Sequence, residues 1–305
     1  MIKATNVVKQ YGNLKALDNF SIEIPAGKVG ILGPNGAGKS TLVKILTTII
    51  RPSRCRGRLL GHPIGHKATL RKVGYLPEHA RFPAYLTGRQ VIEYAAGLCG
   101  VKVSPAEVER LLELVGMSGG AEKRTIRTYS KGMIQRIGLA QAMVNEPRLV
   151  ILDEPTDGVD PEGRYQMRQI LQELRADGVT VFINSHLLGE LETLCDSIAI
   201  LKEGEVIRQG PLRELTAASC VFEVITGDAV PEETASRLRE FGYFVGERQV
   251  TVEGSDPAPL QRAIDTLRSG RVAILEVRKA RQSLEDLFME SIMETQKTTG
   301  GGGLV

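Results

Sequence analysis

The stretch VGILGPNGAGKSTLVKIL, residues 29–46, restricts the fold of this chain more than any other. A short apolar run of β-formers leads at once into a glycine-rich loop, then into Lys39-Ser40-Thr41 and an apolar helical pattern. The order strand, GxxxxGK[ST], helix is that of a phosphate-binding loop. Glycines let the backbone turn tightly enough for several N–H groups to face one anion. The helix that follows presents its N-terminus to the same charge. Gly33, Pro34, Asn35, Gly36, Ala37, Gly38 and Thr41 are therefore candidate nucleotide-contacting positions. Lys39 is placed to reach the β- and γ-phosphates, and Ser40 to ligate Mg²⁺.

Two more runs, LVIL (149–152) and VTVFIN (179–184), share the unbroken apolar character of VGIL. Such runs suit strands buried on both faces, as in a parallel sheet covered by helices. KGMIQRIGLAQAMV (131–144) and RYQMRQILQELRADG (164–178) read as helices, stopped before Asn145-Glu146-Pro147 and at Gly178. This alternation predicts an α/β fold of the P-loop NTPase kind, with a mostly parallel sheet. From about 86 to 145 the apolar spacing is helical throughout, which predicts an inserted helical subdomain. After Gly210-Pro211 the character changes to β-α-β-β-α-β and a final helix, a small α+β unit of ferredoxin-like order. The expected domains are 1–213 and 214–295, with a disordered tail over 296–305.

Both other buried runs end in polar residues. RLVILDEP places Asp153 and Glu154 at a strand end, where a carboxylate is unfavourable unless it meets a cation or a proton-transfer task. Asp153 is the candidate Mg²⁺ partner and Glu154 the candidate general base for an attacking water. Neighbouring strand residues point in opposite directions, so the two acids should differ in role. VTVFINSH delivers Ser185-His186 to the same carboxyl edge, where open α/β sheets bind ligands. His186 is a candidate contact of the γ-phosphate. TYSKGMIQR (128–136) opens the helix that precedes the carboxylate strand, with Ser130 as its candidate cap.

In this order GPNGAGKST, YSKGMIQR, LVILDEPTDGVD and NSH resemble the ATP-binding subunits of ATP-binding-cassette (ABC) transporters, over roughly residues 2–215. The resemblance implies two nucleotide-binding domains paired head to tail, with ATP between the phosphate loop of one and the signature of the other. The usual signature is LSGGQ; here Ser130 and Gly132 match, while Tyr129, Lys131 and Met133 depart. A Ser hydroxyl and free N–H groups at a helix N-terminus suit a γ-phosphate arriving from a second chain. Tyr11 aligns with the aromatic that stacks on adenine, and Asp160 with the loop linking the two sites. Glu78, in GYLPE, replaces the family's usual Gln and offers an oxygen towards Mg²⁺. Residues 79–88 correspond to the segment that faces the membrane subunit.

The resemblance implies an ATPase, with ATP and Mg²⁺, at the cytoplasmic face of the cell membrane. Its partners would be a separate integral membrane permease and a second nucleotide-binding subunit, identical or not. YSKGM and the ending SLEDLF resemble bacterial exporter subunits more than importers. A soluble ABC ATPase of ribosomes or nucleic acid is the alternative, disfavoured by a single phosphate loop and no long heptad run. The net charge of +3 also argues against a broad nucleic-acid surface, and none is expected as partner. No stretch reaches the roughly 18 apolar residues of a spanning helix. Cys55, Cys99, Cys195 and Cys220 form no CxxC pair and read as reduced thiols. His62 and His66 read as a surface turn, and the basic run 51–58 as a solvated one.

Overall fold

Strands β1 (Ile2–Tyr11) and β2 (Leu14–Ile24) open the structure as an antiparallel hairpin. Tyr11 pairs with Leu14, so the turn is only Gly12-Asn13, a two-residue connection suited to the strand twist. This computed structural model describes residues 1–217, 220–254, 256–281 and 283–299, and divides into two units, Met1–Gly210 and Pro211–Val305.

The first unit continues with β3 (Lys28–Leu32), α1 (Lys39–Leu46), β4 (Arg54–Leu59), β5 (His62–Pro63), α2 (Lys67–Leu70) and β6 (Val73–Leu76). Three helices follow: α3 (Gly88–Cys99), α4 (Pro105–Leu114) and α5 (Lys131–Met143). The unit closes with β7 (Leu149–Asp153), α6 (Pro161–Ala176), β8 (Thr180–Asn184), α7 (Leu188–Leu194), β9 (Ser197–Lys202) and β10 (Glu205–Pro211). One sheet runs β2-β1-β4-β5; the other runs β10-β9-β3-β8-β7-β6. In the second sheet β3 pairs parallel with β8 and β9, and β7 pairs parallel with β6 and β8.

Every residue of β3, β7 and β8 is buried, which is why those strands read as unbroken apolar runs. One core cluster joins both sheets: Ile2, Phe20 and Ile24 from the hairpin, Leu42 and Leu46 from α1, and Ile31, Ile151 and Phe182 from the parallel strands. The antiparallel sheet is a feature that continuous apolar runs do not announce. In β1 and β2 buried and exposed positions mix along the strand, since one face is solvated.

Capping sets the limits of the helical insertion. Thr87 and Gln90 form a reciprocal capping box on α3, and Gly100 ends that helix in the left-handed conformation. Ser104 caps α4 ahead of Pro105. Two 3₁₀ turns, Ala121–Lys123 and Ile126–Thr128, lead to Ser130 at the start of α5.

The second unit contains α8 (Leu212–Ala217), β11 (Cys220–Thr226), α9 (Glu232–Glu240), β12 (Phe244–Val245), β13 (Gln249–Glu253), α10 (Pro257–Ser269), β14 (Ile274–Arg281) and α11 (Leu284–Thr299). Its strands pair antiparallel in the order β12-β13-β11-β14. Leu238 of α9 and Ala263 and Leu267 of α10 pack with Val224, Val250 and Val252 of the sheet. Helix α11 runs to Thr299, so it continues through 296–299, where the sequence suggested a disordered tail; residues 300–305 of that tail lie outside the described residues. The N-terminal part of α11 is rich in helix formers, and the glycine run begins only at Gly300.

Phe182 is fully buried in β8, beside Ile151 of β7 and Val29 of β3. Phe182→Ala should destabilise the first unit by about 3–5 kcal/mol, read as a lower denaturant midpoint for its unfolding transition.

Candidate active site

The loop between β3 and α1 is shaped by close approach of backbone to backbone. Gly38 has φ +97°, and a Cβ there would sit 2.6 Å from the Ala16 carbonyl oxygen. Ala37 N donates to the Pro34 carbonyl (3.1 Å), and Gly204 N donates to the Ala37 carbonyl (3.2 Å). Lys39 is buried at the first turn of α1, and its ammonium donates to the carbonyls of Gly33 (2.7 Å) and Pro34 (3.1 Å). Burial lowers the Lys39 pKa, while Glu154 and Asp153 act in the opposite direction. An ammonium so placed is a ready partner for a phosphate.

The carboxylate strand ends as its register requires. Asp153 of β7 pairs with Asn184 of β8, and the Asn184 side-chain amide donates to Asp153 Oδ1 at 2.5 Å. Both residues are buried. Burial raises the Asp153 pKa, and the Asn184 hydrogen bond partly offsets it. At Glu154 the backbone leaves the strand with φ +50°, an uncommon conformation for a residue with a Cβ. Glu154 N donates to the Asn184 carbonyl (2.8 Å), and the Glu154 side chain turns to His186. His186 Nδ1 lies 2.7 Å from Glu154 Oε2, and His186 N donates to the same oxygen at 3.3 Å. The Glu154 carboxyl is raised, chiefly by burial, with His186 holding it down. The two adjacent acids thus sit in different surroundings.

An open cleft of about 510 Å³ runs along this edge. Of the predicted positions, Tyr11, Asn35, Gly36, Ala37, Gly38, Lys39, Ser40, Thr41, Glu78, Glu154 and His186 line it. Gly33, Pro34 and Asp153 are not among its lining residues; Gly33 and Pro34 supply the carbonyls that hold Lys39, and Asp153 is buried behind the edge. Tyr11 is half exposed, with Lys9 Nζ 4.7 Å from its ring centroid. Glu78 has an exposed side chain, and its carbonyl accepts from Gln135 Nε2 of α5 at 3.0 Å. His186 contacts Glu154 in place of standing alone at the edge, which gives it a second possible task beside a γ-phosphate contact.

Ser130, Gly132 and Asp160 lie outside the cleft lining. Ser130 caps α5, its Oγ accepting from Met133 N at 3.3 Å. Tyr129 is buried, with its hydroxyl donating to the Ala121 carbonyl at 2.7 Å. Asp160 caps α6, accepting from Gly163 N at 3.1 Å. Two residues that sequence reasoning passed over belong to the site. Asn184 could have been found as the only polar side chain at the end of VTVFIN, level with Asp153. Asp157 lines the cleft and pairs with Lys131 at 2.8 Å, which gives a partner to the one signature charge without an assigned role.

Comparison with known proteins places this arrangement in a family. The ABC transporter family model matches residues 17–157. The chain is 42% identical over 294 residues to an uncharacterized ABC transporter ATP-binding protein of Nostoc sp., covering 92% of this chain and 84% of that one. It is 35% identical over 307 residues to the daunorubicin/doxorubicin resistance ATP-binding protein DrrA of Streptomyces peucetius, covering 94% and 91%. Among solved structures, the dimeric ATP-binding cassette MJ0796 in a post-hydrolysis state with ADP and Pi superposes with a TM-score of 0.63, at 25% identity. That match covers 70% of this chain and 99% of the other. No helix among the described residues is long and apolar enough to cross a membrane. With the phosphate loop, the carboxylate strand and the capped signature helix in one fold, and relatives matched along most of their length, this chain belongs to the ATP-binding subunits of ABC transporters.

Proposed function

We propose that this chain hydrolyses ATP to drive export through a separate membrane permease, working as a head-to-tail pair of ATP-binding subunits at the cytoplasmic face of the membrane. The observation that carries the proposal is Glu154: a carboxylate with its pKa raised by burial, hydrogen-bonded to His186, in the wall of a cleft lined by the phosphate loop. Glu154 is the general base that orients a water and accepts its proton as the water oxygen attacks the γ-phosphorus and the bond to the ADP oxygen breaks. Lys39 offsets the phosphate charge. His186 keeps Glu154 ionised and aimed, within reach of the γ-phosphate. Tyr11 supports the adenine from the far side of the cleft.

The residues fit Mg²⁺. Asp153 is a buried carboxylate, and the Glu78 charge further raises its pKa; a nearby cation relieves both. Mg²⁺ takes one or two carboxylates and completes its shell with waters and substrate phosphates. Among the described residues no group of three or more His, Cys, Asp or Glu could hold an ion by itself, as suits a metal that arrives with nucleotide. Ser40 and Asp153 would hold it, with Glu78 as a third oxygen, and its charge would stabilise the transferring phosphoryl group.

Ser130 and Gly132 begin a helix whose free N–H groups lie outside the chain's own cleft, which supports completion of the site by a second subunit. Asp160 links the two sites across that pair. Dimer closure on ATP, and reopening after hydrolysis, is the movement passed to the permease. Export is favoured by the match to a drug-resistance protein along nearly its whole length, C-terminal part included. The first domain is read as 1–213, with its helical subdomain at about 86–145. The second, with strand order β12-β13-β11-β14, is read as ferredoxin-like.

Glu154→Gln should keep ATP affinity and lower kcat by at least about 100-fold, leaving a stable ATP-bound dimer in size-exclusion chromatography. Normal turnover would remove Glu154 from the base role. Ser130→Arg should spare nucleotide binding and abolish turnover, since only the partner's site loses its contact; retained turnover would sink the dimer reading. The pH profile tests the Glu154–His186 pair. A raised carboxyl pKa means the base form is lost, as pH falls, at a higher pH than the ordinary 4.5. His186→Ala removes the imidazole charge and its side-chain hydrogen bond, two of the influences that lower it, and leaves the backbone N–H at 186 and Lys39, so the acid limb of kcat should move to still higher pH. An unmoved or lowered limb would show that His186 does not hold the carboxylate. Purification from intact membranes should bring down an integral membrane subunit; retention on ribosomes would favour the soluble class instead.

A further inference from the structure

Lys131 stands between Ser130 and Gly132, the two signature positions assigned above to a partner's nucleotide. Its side chain runs along the surface to Asp157 Oδ2 at 2.8 Å. Asp157 follows Glu154 by three residues and lines the chain's own cleft. The contact extends beyond the charges. Gly158 has φ +62°, and a Cβ there would lie 2.6 Å from Lys131 Nζ, 3.3 Å from its Cδ and 3.4 Å from its Cε. The lysine stem therefore lies across the backbone of the loop. A Cβ added to Gly132 would come 3.2 Å from Val159 Cγ1. The first turn of α5 thus rests on residues 157–159.

That loop needs anchoring. Glu154 holds a left-handed backbone conformation, and such residues persist only where their surroundings over-determine them. Two anchors come from the segment after β8: His186 on Glu154, and Glu190 of α7 on the buried Thr156 hydroxyl. Lys131 supplies a third from α5, an element from elsewhere in the chain. Without it, Asp157 would keep a charge facing the cleft that Glu154 and Glu78 also line.

We infer that Lys131 is a positioning residue acting within its own chain: through Asp157 and the backbone at Gly158 it fixes the loop that carries Glu154. One helical turn then has two tasks. Ser130 and Gly132 meet the partner's nucleotide, and Lys131 ties that event to the catalytic carboxylate of the chain's own cleft. The inference rests on the general-base role of Glu154 given above.

The test is steady-state ATP hydrolysis by the full-length chain carrying Lys131→Met, Asp157→Asn, both together, or the exchanged pair Lys131→Asp with Asp157→Lys. Each single change should lower kcat about tenfold with KM for ATP within about twofold, the size of effect that a displaced catalytic group produces. The double Met/Asn variant should be no slower than the slower single, because both remove one shared contact. The exchanged pair should recover most of the lost kcat, which general loosening of the fold would not allow. Independent losses that multiply, or no recovery on exchange, would overturn the inference. So would a raised KM in Lys131→Met with Asp157→Asn unaffected, which would assign the ammonium to the partner's phosphate. Glu154→Gln run alongside separates the two levels. If it turns over normally, the general-base assignment has failed; if it stalls while the pair shows no coupling, only the anchoring role has.

Discussion

The cleft depends on the parallel register of three buried strands. Ile31 of β3 is level with Asn184 of β8, which is level with Asp153 of β7. Since both faces of these strands are buried, a slip of one residue would move apolar side chains into the wrong layer and a polar end into the core. Register fixed by burial therefore fixes where each strand stops being apolar. The stops coincide: Gly33 after β3, Ser185-His186 after β8, Asp153-Glu154 at the end of β7. The chemistry sits at one edge because the packing admits polar side chains only at the strand ends: Lys28 and Thr180 where β3 and β8 begin, Asp153 and Asn184 where β7 and β8 close on the cleft.

That edge concentrates groups whose charged forms burial disfavours. Burial lowers the pKa of Lys39 and raises those of Asp153 and Glu154, so each ion is destabilised alone. Each is partly relieved by the others or by a fixed dipole: Lys39 by two carbonyls, Asp153 by Asn184, Glu154 by His186. Such a set is sensitive to any further charge. A polyanion with its cation adds both signs at once, which is why clustered, perturbed groups mark functional edges more often than structural ones.

How much of this could be read from the chain depends on the range over which each feature is encoded. The parallel strands were legible because full burial writes an unbroken apolar run, and the phosphate loop because its glycines and Lys39 are contiguous. Ser130 was legible as a helix cap. The N-terminal hairpin was not, since β1 and β2 mix charged and apolar residues along the strand, which masks the hairpin dipeptide Gly12-Asn13 between them. Asn184 was visible as a polar strand end, but its partner was not, because Asp153 comes level with it only once β7 and β8 pair. Lys131 was hidden more deeply: it and Asp157 are 26 residues apart, and only the approach of α5 to the loop after β7 brings them together. The extent of α11 escaped because a glycine-rich end outweighed the helix formers before it.

Lys39 spends two of its three donors on Gly33 and Pro34, carbonyls of the same loop. The loop therefore keeps its shape with its charge already satisfied, and the ammonium needs no water to follow it into the core. Both bonds are already charge-assisted, so a phosphate entering there can take the remaining donor and leave the glycine backbone where it stands. Rearrangement on binding is then confined to a few rotations of one side chain. The loop is thus shaped for an anion before one arrives, and little conformational freedom is lost there on binding.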